Sequence, residues 1–155
     1  MLINLISSTL IEQPVKRVFD FVSTPENDVQ WQYGTLIAAR LSNGGDKSRS
    51  FFRSIGHLMG RRNQGIFEVT QYEPNRKYSF KSVAGPLHSQ TSYSFEASKG
   101  STKISITTQA QANNFFKMNE RLLERRMQKQ LKENLAVLKD LLEAKQILVD
   151  TEAVS

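Results

Sequence analysis

From Asn113 to Ile147 the chain contains neither glycine nor proline. Within that stretch Phe116, Leu123, Met127, Leu131, Leu138 and Leu142 recur at steps of four or seven, with Leu135 and Leu141 alongside. This is the spacing of one helical face and predicts a single long helix, with a bend or offset near its start. Lys117, Arg121, Glu124, Arg125, Lys129, Lys132 and Glu133 run between the apolar positions. A helix is stabilised mainly by burying such a stripe, so the rest of the chain must supply a broad apolar surface to receive it.

The upstream sequence reads as that surface. Met1 to Ile11 is apolar but interrupted by Ser7, Ser8 and Thr9, and it lacks a basic start and a small-residue cleavage site. It is expected to be a first strand rather than a leader. Pro14 opens a short helix whose Val15, Val18, Phe19 and Val22 share a face. Thr24-Pro25 starts a second helical turn, where Glu26 and Asp28 suit the positive helix end, and leads to Trp31. From Thr35 to Ala112 the period falls to two, with turn signals at Asn43-Gly44-Gly45, Gly60, Glu73-Pro74-Asn75, Gly85-Pro86 and Gly100. That pattern predicts an antiparallel meander of about six strands.

Turns centred on Gly60-Arg61, Pro74-Asn75, Gly85-Pro86 and Lys99-Gly100 place Phe52 opposite Val69, Val69 opposite Phe80, Tyr78 opposite Tyr93, and Phe95 opposite Ile104. All the large apolar residues then share one face, and Arg53, His57, Glu68, Lys81, Gln90, Glu96 and Lys103 share the other, wet one. The apolar face is uneven. One end carries Phe52, Val69, Tyr78, Phe80, Tyr93, Phe95, Ile104 and Ile106. The other carries Ser54, Gly56, Gly65, Ser82, Ser89, Thr91, Thr108 and Ala110, with Phe67 as the exception. Such small residues cannot fill the space under a helix to native density. Either the two short helices plug the gap, or it is a ligand pocket with a few polar handles.

Composition narrows the class. The chain's 155 residues suit one domain, here expected over 1–147 with a frayed tail at 148–155. Hydrophobic residues at 39% and charged ones at 23% argue against disorder, and no apolar run reaches a membrane span. The chain has no cysteine, which removes disulfide and thiol chemistry and fits a reducing, cytoplasmic setting. The net charge of +6 is scattered, apart from Arg61-Arg62 and Arg125-Arg126, so it reads first as a solvated surface.

Several local features match a known family. These are Ile11-Glu12-Gln13-Pro14 followed by Val18-Phe19-Asp20-Phe21, Trp31 after the Pro25 turn, and Phe67-Glu68-Val69-Thr70 leading to Tyr72-Glu73-Pro74. Gly100 with Thr102 and the run Leu138 to Glu143 complete the set. In order, they resemble the START-like helix-grip fold of the SRPBCC superfamily, which includes polyketide cyclase/dehydrase, lipid-transport and birch-pollen-allergen proteins. The resemblance spans Leu2 to Lys145. It implies an α+β architecture, a curved seven-stranded antiparallel sheet around the long C-terminal helix, with two short helices between strands 1 and 2. It also implies an apolar cavity for a small hydrophobic, lipid- or polyketide-like molecule, and it supplies no shared catalytic motif.

The candidate ligand-binding residues are therefore Trp31, which either packs in the core or walls the entrance that the resemblance implies, Ser54, Phe67, Phe80, Ser82, Ser89, Thr91, Tyr93 and Thr108 on the sheet, and Phe116 on the helix. Extending the stripe of Met127, Leu131 and Leu138 backwards lands on Glu120 and Glu124. A bent or offset helix start leaves both in water; otherwise one points into the cavity, where it could act as an acid or base. His57 and His88 fall on or beside the wet face, and with no cysteines no metal site is expected. No cofactor is expected either. Gly44-Gly45-Asp46-Lys47-Ser48 lacks the spacing of a phosphate loop, and no Ser/His/acid constellation can be assembled.

Three functions follow in order: a non-enzymatic carrier, a cyclase or dehydratase using Glu120 or Glu124, and electrostatic binding. In the last, Arg61, Arg62, Arg121, Arg125 and Lys132 would hold anionic membrane lipid or nucleic acid. Nucleic acid is disfavoured because aromatic and basic residues are not interleaved. The sequence carries no expectation of oligomeric state.

Overall fold

A computed structural model describes residues 2–41, 47–111 and 119–154, the side chains of Ser48 and of 145–154 excepted. Seven strands form one sheet: β1 (Leu2–Ile11), β2 (Thr35–Arg40), β3 (Phe51–Leu58), β4 (Arg61–Glu73), β5 (Lys77–Ala84), β6 (His88–Ser98) and β7 (Ser101–Gln111). Their order is β1-β7-β6-β5-β4-β3-β2, antiparallel throughout. Helices α1 (Val15–Val22) and α2 (Asp28–Trp31) lie between β1 and β2, joined by a 3-10 turn at Pro25–Asn27, and α3 (Glu120–Val154) follows the sheet. This is the α+β helix-grip arrangement that the family resemblance implies. Among the described residues no helix is long and apolar enough to cross a membrane.

The long helix differs from its expected span of 113–147. Asn119 is its cap: the side-chain oxygen accepts the N–H groups of Arg121 and Leu122 at 3.0 and 3.3 Å. The candidate Phe116 lies outside the described residues, as does Asn43-Gly44-Gly45. At the other end α3 runs on to Val154, through the segment the pattern reads as a frayed tail.

Two of the hairpin turns differ in detail. The β3–β4 turn centres on Met59-Gly60, so Phe52 pairs with Phe67 and not with Val69. A shift of two residues leaves every side chain on its expected face, because the side-chain period is also two. A bulge between Val69 and Gln71 moves the β4–β5 turn by half a step, while Val69 still pairs with Phe80. Tyr78 pairs with Tyr93, Phe95 with Ile104 and Tyr93 with Ile106, as the turn chemistry requires. Bulges also lie between Thr35 and Ile37 and between Ile66 and Phe67, and each bends its strand and helps curve the sheet.

Two hydrophobic clusters form the core. The larger joins Val18, Phe19, Val22 and Trp31 to Phe52, Tyr78, Phe95, Ile104 and the helix residues Leu135, Leu138 and Leu142. The smaller contains Ile3, Leu5, Ala110, Leu123 and Met127, and Leu131 packs against both.

Helix α3 also seals the free edge of β1, which would otherwise expose a row of unpaired backbone groups. Gln128 accepts the Ile6 N–H at 3.2 Å and donates to the Ile6 carbonyl at 2.6 Å. Three turns on, Lys139 donates to the Leu10 carbonyl at 2.8 Å, and Glu143 accepts the Glu12 N–H at 3.1 Å. Partial burial works to raise the Glu143 pKa, but hydrogen bonds from Lys139 and Glu12 outweigh it and hold the carboxyl below its ordinary range. Buried Gln13 donates to the Leu142 carbonyl at 3.2 Å, fixing the helix against the turn after β1.

Candidate functional site

The two clusters leave a space between them. Six members of the small-sided row, Ser54, Gly56, Ser89, Thr91, Thr108 and Ala110, line a cavity of about 220 Å³. On one side Phe52 and Phe67 are stacked at 5.2 Å, and Phe80 stands edge-on to both at 5.1 and 5.6 Å. On the other side are Leu58, Leu87 and Met127. The Thr91 and Thr108 hydroxyls are cross-strand partners 3.1 Å apart, so each is satisfied and the pair still offers one free donor.

The rim is polar. The α2–β2 connection contributes Gln32, Tyr33, Gly34 and Thr35, and α3 contributes Gln130 and Asn134. Asn134 Oδ1 accepts the Tyr33 N–H at 3.1 Å and the Gln130 side-chain amide at 2.9 Å, fastening the connection to the helix. Gly34 closes the other flank. It has φ +87°, its carbonyl accepts the His57 N–H at 2.8 Å, and a Cβ there would lie 2.1 Å from the His57 carbonyl oxygen. Gly56 is its counterpart, since a Cβ on it would meet the Gly34 oxygen at 2.3 Å. Only glycine permits this approach.

Asp28 is the side chain that local sequence reasoning assigns wholly to helix capping. It lines the cavity from α2, and among the described residues its carboxyl accepts no hydrogen bond. Burial, with Glu26 nearby adding repulsion, raises its pKa well above the ordinary carboxylate range. Tyr78 and Tyr93 are raised by burial first and by Asp28 second, and a hydrogen bond from Gln32 partly offsets the effect at Tyr93. A carboxyl so placed keeps its proton to higher pH than a free one, and while protonated it is an O–H donor.

Of the sequence-based candidates, the structure brings Ser54, Phe67, Phe80, Ser89, Thr91 and Thr108 together around the cavity. Ser82 is not among its walls; its hydroxyl accepts the Ser89 N–H at 2.9 Å. Trp31 and Tyr93 are buried behind the lining, edge to face at 6.4 Å, because α2 turns the indole into the larger cluster. The Trp31 indole N–H has no partner within the described residues. Glu120 and Glu124, in the first turns of α3, are exposed in an open recess with Arg121, Arg125, Leu2 and Gln128. Arg61, Arg62 and Lys132 lie away from the cavity walls. His57 is exposed at the cavity rim and His88 is exposed beyond it. Among the described residues no three His, Asp or Glu side chains gather as metal ligands would.

Residues 4–143 match the family model described as polyketide cyclase/dehydrase and lipid transport. No curated protein sequence matches the chain. Among solved structures it is similar to a START superfamily protein from Mycobacterium smegmatis, with TM-score 0.79 and 14% identity over 92% of this chain and 98% of that one. A protein from Thermus thermophilus has TM-score 0.77 and 16% identity, with the same coverage of 92% and 98%. The Zhui aromatase/cyclase from Streptomyces sp. R1128 has TM-score 0.72 and 12% identity over 96% of each chain. At these identities the likeness establishes the fold.

Proposed function

The chain belongs to the polyketide cyclase/dehydrase and lipid transport family, and from that premise we propose that it binds a small hydrophobic, lipid- or polyketide-like molecule between the sheet and α3. The observation that carries this reading is the cavity lining, in which three phenylalanines face aliphatic side chains and a few hydroxyls and amides supply the polar contacts. At about 220 Å³ the space is smaller than the roughly 300–1,000 Å³ of ordinary small-molecule pockets, which favours a compact ligand. The exposed setting of Glu120 and Glu124 beside two arginines favours binding or transport over acid/base turnover by either glutamate.

Titration with naphthalene, followed through Trp31, the one tryptophan, tests the reading. The expected result is one site per chain. Thr91→Phe, which fills the cavity, weakens binding at least tenfold, whereas Thr107→Phe on the wet face leaves it unchanged. Equal binding by wild type and Thr91→Phe would remove the ligand from this cavity. Native mass spectrometry of the purified protein, searching for a co-purified small molecule, would then identify the natural ligand class.

A further inference from the structure

We propose that Asp28 is the polar anchor of this cavity, donating its carboxyl O–H to a carbonyl group on an otherwise apolar ligand. The inference rests on the binding reading above and adds the chemical class of the ligand. Asp28 lines the cavity wall, yet among the described residues nothing donates a hydrogen bond to its carboxyl, and no cation faces it from the lining. The other ionisable groups on the lining are Tyr33 and His57, both at the rim. Glu26 on the preceding turn repels a negative charge at Asp28, and Tyr78 and Tyr93 face it from β5 and β6. Arg40 on β2 acts on Tyr78, and α3 offers the cavity only Met127, Gln130 and Asn134, none of which ionises.

A charged carboxylate needs donors or a cation to hold it, and among the described residues neither acts on Asp28. A neutral carboxyl fits what is present, and its unmatched donor is best satisfied by a carbonyl oxygen. An anionic ligand would meet the Glu26 charge unfavourably and would find no lysine or arginine on the lining to hold it. A cationic ligand calls for an ionised carboxylate opposite it, and the Glu26 charge and the burial of Asp28 both oppose that ionisation.

The full-length protein is titrated with naphthalene, 2-acetylnaphthalene and 1-naphthylmethylamine at pH 5, 7 and 9. The ketone is expected to bind at least tenfold more tightly than naphthalene at pH 5, with the advantage shrinking as pH rises. Asp28→Asn, whose amide still donates, keeps the advantage at every pH, and Asp28→Leu loses it while still binding naphthalene. His57→Gln leaves the pH profile unmoved. Naphthalene binding with no ketone preference overturns this inference alone. Absence of binding by all three probes overturns the reading beneath it as well. A pH profile that follows His57, or a preference for the amine that grows with pH, also overturns the proposal.

Discussion

Around Asp28 every nearby influence opposes ionisation, and this has a consequence for stability that does not depend on any ligand. Burial, with Glu26 in second place, puts the folded-state pKa above the unfolded value of about 3.9. Between those two values the folded chain holds a proton that the unfolded chain has released. The contribution of Asp28 is therefore fully present below the unfolded pKa and is lost as pH rises through the folded one. Asp28→Asn is accordingly expected to melt higher than wild type at pH 7 to 8, by about 2–4 °C for each kcal/mol regained. The gap should close towards pH 4. Thermal melts from pH 4 to 8 check this, and a gap independent of pH would mean the carboxyl is not desolvated as described. The sequence hid this residue because a first-turn acid after Thr24-Pro25 already has a complete local explanation. Its inward neighbours Tyr78 and Tyr93 lie far along the chain. For Trp31 spacing left core packing and a pocket wall both open, and the indole packs in the larger cluster.

Elements were the most legible level, because side-chain period and turn chemistry are local signals. The strands, the two short helices and the helical stripe all follow from spacing, and the face assignment survived a mistaken turn centre. What spacing could not give was the exact turn, since Met59 adopts a left-handed φ of +50° that sequence preference argues against. Lys99 is in the same condition at +50°, exposed, and directly before Gly100 in a two-residue hairpin. Asparagine tolerates that conformation far better than lysine. Lys99→Asn is therefore expected to stabilise the protein by about 0.5–1 kcal/mol, read as a rise of about 2–4 °C per kcal/mol in thermal unfolding. An unchanged or lower midpoint would show that the hairpin is not limited by this strain. The start of the helix was legible only as a conflict between its stripe and Glu120 and Glu124; Asn119 caps it, and both glutamates lie in water.

In the whole molecule, the space between the two core clusters ties binding to stability. The uneven face of the sheet made that space visible in the sequence, whereas the helix-side amides Gln130 and Asn134 and the Gly34–Gly56 approach depend on tertiary placement. A ligand that occupies the cavity only in the folded state stabilises it by about 2.7 kcal/mol at one hundred times its dissociation constant. Saturating wild type with the tightest of the naphthalene probes is expected to raise its melting temperature by about 5–10 °C. Thr91→Phe should show no such shift, and equal shifts in calorimetry would place the ligand elsewhere. The sheet order carries one more implication, for the birth of the protein. Among the described residues strand β1 pairs with β7 alone, Leu2 opposite Gln111 and Ile11 opposite Thr102. At about 5–20 residues per second of synthesis, this apolar strand leaves the ribosome several seconds to some twenty seconds before its mate exists. During that interval its backbone groups have no strand to pair with, the exposure that makes unpaired apolar segments prone to association.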